Sequence, residues 1–528
     1  VNRIAIWLLT LLLSGVAFAE VNPRDGNFYV TYEDIAFSGD GPPLNVRRTY
    51  NSISAEQGWF GIGWGSPYET QLVVMLDGAA TVIENGTGGL SHYRPDTSTQ
   101  VRAEGSALAE ADGQHVQLGD SALIALKSPM RGDADQRLRL ARQYGMVGSL
   151  AFDALLRDPR CRDATLKRTV DGYRRVTCSG IVDDFDGQGR LVRRSNANGY
   201  QAILHYDTTR PTHLTDTAGR RLDFKWNSRG LLTHILTNDG REATYRYGKN
   251  GTLIESVDAH GLPLKYAYDQ NDNLTTIAYI DGTSIELTYG DSSTGRIATV
   301  TERTGERKDY HYTLHPVTGE VVATRIRVTS VDGDVSESRV MIKREHSQNG
   351  ALQTITLESE QSSKSGGPSN HLNTKVDPHG RVMSRLDNEG RRVDYVYHPH
   401  TGRLILVLGN SGDYMIRYDE RGRMTEIISD AGQHVELRYG TCCRKFERVI
   451  EHSKGAPTRE LVFRYNADGK PEHVRLVGTG SVSVRYDAQG EVEHVHAEPG
   501  GPRMALQIMQ VLKSLLQVIR VTRVDQPL

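Results

Sequence analysis

An aromatic residue returns about every 21 positions along most of this chain, and a glycine often stands four residues after it. The markers are Phe185, Tyr206, Trp226, Tyr247, Tyr268, Tyr289 and Tyr312, then, after a blurred stretch, Val376, Tyr397, Tyr418, Tyr439, Tyr465 and Tyr486. Within the two runs the steps are of 20, 21 or 23 residues, with one of 26 between Tyr439 and Tyr465. A fixed period of this length specifies stacked supersecondary units that share one core. It overrides the three or four separate domains that 528 residues would otherwise suggest.

Each period carries two turn signals. One is the glycine after the marker, as in Tyr418–Gly422. The other follows about ten residues later, as in Asn238-Asp239-Gly240 and Asp281-Gly282. Asn-Gly and Asp-Gly pairs favour hairpin turns because those turns need positive φ. Two residues before the marker stands a second large apolar group, as in Leu204/Tyr206, Phe224/Trp226 and Tyr245/Tyr247. A period of two puts both on one face. The residue between them is often basic (Lys225, Arg246, Arg417, Arg438) and points to the other face. After the glycine, apolar residues fall three apart, as in Leu232/Ile235 and Leu404/Val407. In a regular strand those would face opposite ways, so either both faces are partly covered or a bulge re-phases the strand.

The expected fold is therefore all-β, a spiral antiparallel β-sheet of stacked hairpin repeats. Residues 1–19 read as a cleaved signal peptide, with Arg3, an apolar run from Ile4 to Val16 and the small-residue site Ala17-Phe18-Ala19. That predicts export to the periplasm, the cell surface or the medium, with no membrane span left after cleavage. Residues 20–120 read as an N-terminal β region. Residues 121–180 read as a small helical insertion, from the spacing of Leu138, Leu140, Met146, Leu150, Leu155 and Leu156, followed by a hairpin flanked by Cys161 and Cys178. The repeat array covers 181–498 and is degenerate over 313–375. Residues 499–528 carry an amphipathic helix with Met504, Ile508, Val511, Leu512, Leu515 and Leu516 on its apolar stripe. That stripe plugs the open end of the sheet, docks a partner or lies on a membrane, in that order of preference, since the helix has few cations.

Four cysteines in an exported chain predict disulfides. Cys161 and Cys178 are expected to pair across their hairpin. The adjacent Cys442 and Cys443 form either a strained vicinal disulfide or two thiols. A net charge of −2 gives no electrostatic case for a nucleic-acid partner. His398/His400 and His494/His496 lack a third ligand and read as surface histidines, so no metal and no cofactor is expected. No nucleophile elbow, phosphate loop or dinucleotide motif is present, which argues against an enzyme. The marker ring ladder (Tyr206, Trp226, Tyr247, Tyr268, Tyr289, Tyr312, Tyr397, Tyr418, Tyr439, Tyr465, Tyr486) reads as core before it reads as a sugar-stacking surface.

The unit Tyr418-Asp-Glu-Arg-Gly-Arg-Met424 resembles the YD repeat of bacterial Rhs proteins, as does the paired cysteine in the YGTCC turn at Tyr439. The segment GNFYVTYEDIAFSGDGPPLNVRRTYNS, followed by GWFGIGWG, resembles the motif that precedes the repeats in that family. The resemblance implies a spiral β shell with no catalysis of its own that binds or encloses another polypeptide. That polypeptide would be a toxin-like cargo, an Rhs-core partner or a second copy; the alternative is a carbohydrate-binding surface. The usual core end and C-terminal toxin are not recognised, since Asp377-Pro378-His379-Gly380 falls in mid-array. About fifteen two-strand periods make a ribbon of roughly 145 by 26 Å. A shell around a 100-residue cargo needs a radius of roughly 25 Å and about twice that area, so an open bowl or curved sheet is expected unless two copies or another protein complete it.

Overall fold

The computed structural model describes residues 19–37, 44–95 apart from 76–77, most of 148–498 with short gaps, and Ile508, Gln510 and Val511. The segment up to Phe18, the insertion from 121 to 147, Cys442, Cys443, Met504, Leu512, Leu515 and Leu516 lie outside the described residues. Thirty-four strands, from Gln71–Val74 to Val492–Glu498, form one antiparallel sheet in which each pairs with the next along the chain. Gln71 of its first strand also bridges Arg190, next to strand Leu191–Ser195.

The repeat is built by a turn and a bulge. In the turn at Asp186, Oδ1 accepts the backbone N–H groups of Gln188 and Arg190, each at 2.9 Å. Gly189 takes the left-handed φ of +80° that closes it. The bulge lies just beyond the turn. Lys225 pairs with His234 but Trp226 pairs with Leu232, so Thr233 is an extra residue. The same shift recurs beside Tyr206, Tyr247, Tyr268, Tyr397, Tyr418 and Tyr465. It decides the question left open by the sequence: the extra residue returns Leu232 and Ile235 to one face, and both are fully buried. Thr233 occupies the bulge with its hydroxyl donating to the Lys225 carbonyl at 3.0 Å.

Two expectations are corrected. Leu155 and Leu156 lie in strand Leu155–Asp158, not in a helix. Leu156 pairs with Leu166 on one side and Pro95 on the other, so both backbone edges are used by neighbouring strands and Leu156 alone faces the core. Cys161 and Cys178 are not joined to each other. Strands Cys161–Thr169 and Gly172–Val176 pair Thr165 with Val176, a register that sets position 163, not Cys161, level with Cys178. Cys178 itself sits in the turn after Val176, and the Cys161 thiol donates to the His400 carbonyl at 3.0 Å.

The two halves of the ribbon are filled differently. A four-stranded sheet of Ala19–Val21, Phe28–Phe37, Leu44–Asn51 and Trp64–Gly65 packs on the inner face of the first half. One hydrophobic cluster runs from Val21 to Tyr310 through both layers. The later strands carry two smaller clusters, one around Leu357 and Val407, the other around Val449 and Phe463.

The ribbon also meets itself lengthwise. The His400 carbonyl accepts from Asp163 N–H at 3.0 Å, and Arg403 donates to the Cys178 carbonyl at 3.4 Å. The turn holding His400 follows strand Arg392–Tyr397, twenty strands beyond Cys161–Thr169. At about 4.8 Å per strand the loop is roughly 96 Å round, which as a circle has a radius of roughly 15 Å. The ribbon thus returns on itself as a spiral, around an interior that the N-terminal sheet partly fills.

Candidate functional site on the inner face

The marker aromatics sit on the inner face and tie one repeat to the one before. Tyr206 Oη donates to the Leu191 carbonyl at 2.9 Å, Tyr289 to Leu274 at 2.7 Å, Tyr397 to Val382 at 2.9 Å, and Tyr418 to Leu404 at 2.8 Å. Tyr247 likewise reaches Leu232 and Tyr465 reaches Phe446. Trp226 replaces the hydroxyl with its indole N–H, which reaches the Pro211 carbonyl at 2.8 Å. Tyr268 breaks the pattern by accepting from Trp64 Nε1 at 3.1 Å, and the Tyr312 hydroxyl is buried without a hydrogen-bond partner among the described residues. Tyr486 lies in strand Gly480–Tyr486, its side chain outside the described residues.

The Asp and Arg of each YDxxGR-type unit lock the same contact. Arg190 Nε donates to Asp186 Oδ2 at 2.7 Å, and its guanidinium lies 4.6 Å from the centre of the Tyr206 ring. Asp377, Arg381 and Tyr397 repeat this arrangement, and so do Asp419, Arg423 and Tyr439. A cation over an aromatic face is favourable. The motif thus holds a turn, and through it the next ring. Burial pushes the Tyr397 phenol up to about 12, so the hydroxyl remains a donor at neutral pH.

The strongest polar node lies where the N-terminal sheet meets the repeats. Arg48 is fully buried and donates to Asp34 at 2.7 Å and to Ser256 Oγ at 2.8 Å. Its guanidinium lies about 5 Å from the rings of Tyr32, Trp64 and Tyr266. Tyr245 Oη donates to the same Asp34 carboxylate at 2.8 Å. Burial alone would lower the Arg48 pKa, but the Asp34 charge outweighs it and holds the guanidinium above its ordinary value. A clue was present in the sequence. Arg48 falls in the inward register with Leu44, Val46 and Tyr50, and a buried cation needs an anion.

Glu69 is a second buried ionisable group. Its Oε2 accepts the Trp59 N–H at 2.6 Å, and its Oε1 is buried with no hydrogen-bond partner within bonding distance among the described residues. Burial raises its pKa well above the ordinary value, against the hydrogen bonds from Trp59 and Ser66. On the last strands, Ile508 and Val511 are helical, and Ile508 is buried in the cluster of Val449, Phe463 and Val484, with Val511 against it. Of the predicted stripe, these two residues are brought to the sheet. His398 and His400 have ring centres 5.9 Å apart, and among the described residues no three His, Cys, Asp or Glu side chains gather as a metal site.

Residues 19–93 match a family described as a domain of unknown function, DUF6531. The same end of the chain is similar to the tRNA nuclease WapA of Bacillus subtilis strain 168, 37% identical over 68 residues. The tRNA(Glu)-specific nuclease WapA of Bacillus subtilis subsp. natto gives the same identity over the same length. Each match covers 13% of this chain and 3% of the relative. Among solved structures, the complex TcdB2-TccC3-Cdc42 aligns over 92% of this chain and 25% of that one, at 11% identity and a TM-score of 0.37. The Photorhabdus luminescens Tc holotoxin pore aligns over 89% and 24%, at 12% identity and a TM-score of 0.36. The chain spans about a quarter of those structures and a small fraction of the curated relatives.

Proposed function

We propose that this chain is an exported, non-enzymatic YD-repeat scaffold of the Rhs type, whose inner face holds a polypeptide segment. The observation that carries the reading is the seating of Ile508 and Val511. A helical stretch of polypeptide lies with its apolar residues on the inner face of the last strands. The marker rings support it, because their hydroxyls are spent on backbone carbonyls and stiffen a wall. On this reading the N-terminal segment shared with the nuclease relatives is a structural cap, since Arg48, Trp64 and Tyr32 are committed to packing. A loop of roughly 15 Å radius, less about 5 Å for its own side chains, suits a helix or an extended segment better than a folded domain.

Native mass spectrometry of the full chain purified from its source cells tests this. A stoichiometric polypeptide adduct is expected, and Ile508→Asp should change its occupancy. A chain that carries no polypeptide but binds a glycan array, with binding lost on replacing marker tyrosines, would establish the carbohydrate reading instead.

A further inference from the structure

The outward face of the ribbon changes character along its length. Among the early strands a cross-strand row runs Arg246, Glu255, Lys265, Ala278 and Ser284, each paired directly with the next. Its first two members form an ion pair at 2.7 Å. That is an ordinary solvated face. Among the later strands the equivalent row runs Val396, Leu406, Met415 and Ile428, again each paired with the next. Their strand neighbours Tyr395, Val407, Ile416 and Ile427 are buried on the inner face, so alternation turns this row outward. Val396 is 36% exposed and Met415 44%, while Leu406 and Ile428 are half-buried. Ion pairs border the row, Arg417 with Glu426 at 3.4 Å and Arg392 with Asp394 at 2.8 Å.

We propose that this row docks one short amphipathic helix of a partner polypeptide, distinct from whatever the inner face holds. Its dimensions select the occupant. The row spans three strand spacings, about 14 Å, and is narrow, with the bulge residue Ile405 and Leu408, both half-buried, beside Leu406. An apolar strip of this size is on the order of 200 Å², far below the roughly 800 Å² per partner of a stable protein–protein interface. A second copy laid face to face would therefore bury its charged rows without enough apolar area between them. A helix of about ten residues is about 15 Å long, and its i, i+4 and i+7 side chains are about 5–6 Å apart. That nearly equals the strand spacing. The bordering ion pairs present both signs of charge, so the partner's polar flanks carry both lysine and glutamate.

The full chain should bind a synthetic helix of about 14 residues with leucines at that spacing and Lys and Glu on its flanks, read by fluorescence anisotropy. Binding should be saturable, and Met415→Asp should weaken it at least tenfold at an unchanged melting temperature. Met415→Ser replaces it if the aspartate variant does not fold. Ala278→Asp, on the outward row of the early strands, should leave binding unchanged. The proposal is overturned by non-saturable binding or by equal binding to the Met415 variant. It is also overturned by a wild-type dimer that Met415→Asp dissolves, or by phosphatidylcholine vesicles that compete for the row.

Discussion

The first and second halves of the ribbon use the same hairpin and are finished in different ways. Strands up to Val321–Thr329 lie against an N-terminal sheet that brings its own aromatics and a buried ion pair, and the two layers share one core. The later strands have two smaller clusters, and the added polypeptide described there is the short helical stretch at Ile508. A repeat wall therefore does not dictate what fills it. The filling is set by whichever segment presents apolar residues in register with the inner face, and the outward face can diverge as well, from Arg246–Glu255 to Val396–Leu406.

If the halves are independently finished, damage should stay local. Arg48→Met leaves Asp34 buried beside Tyr245 with its cation gone, a loss of about 3–5 kcal/mol by analogy with broken buried pairs. Hydrogen exchange should accelerate in Glu242–Tyr247 and Pro263–Tyr268 while Leu404–Gly409 is unaffected; uniform acceleration would mean a single cooperative unit. The next effect depends on pH. Because the Glu69 carboxyl is raised by burial, its contribution to stability is present below the unfolded value near 4.5 and is lost as pH rises through the folded value. Glu69→Gln should remove that decline, a gain on the order of 1–3 kcal/mol at alkaline pH and little change in acid. Denaturant titrations at several pH values check this, and a parallel shift at all pH values would reject it. The smallest effect tests what the halves share. Tyr206→Phe and Tyr397→Phe each remove one tie to a carbonyl, and each should cost about 0.5–1.5 kcal/mol. Unequal losses would show that the tie is worth more where a second layer covers it.

Local features were legible in the sequence, and pairing was not. The period, the two turns, the inward pair such as Phe224/Trp226 and the outward basic residue all follow from spacing along one strand. The bulge at Thr233 is a relation between two strands, so Leu232 and Ile235 remained ambiguous until their partners were known. Cys161 and Cys178 look like neighbours across a hairpin, but the register of Thr165 with Val176 separates them. Leu155 and Leu156 have helical spacing only if their flanking strands are ignored. The tie from Tyr206 to Leu191 also crosses strands, although the preference for tyrosine over phenylalanine at the markers was a visible hint that a hydroxyl was needed. Arg48 was readable as an inward cation, but its partners at Tyr245 and Ser256 lie about two hundred residues away.

The backward tie has a mechanical consequence. Most marker rings, Tyr206, Tyr289 and Tyr397 among them, fasten to the repeat that was made before, so such a unit is locked by its successor, and the most recent unit is the least secured. Fraying should then enter at the last strands and travel toward the N-terminal layer, where it stops, as a zipper opens from its free end to a sewn stop. The stretch around Ile508 sits where such opening would begin.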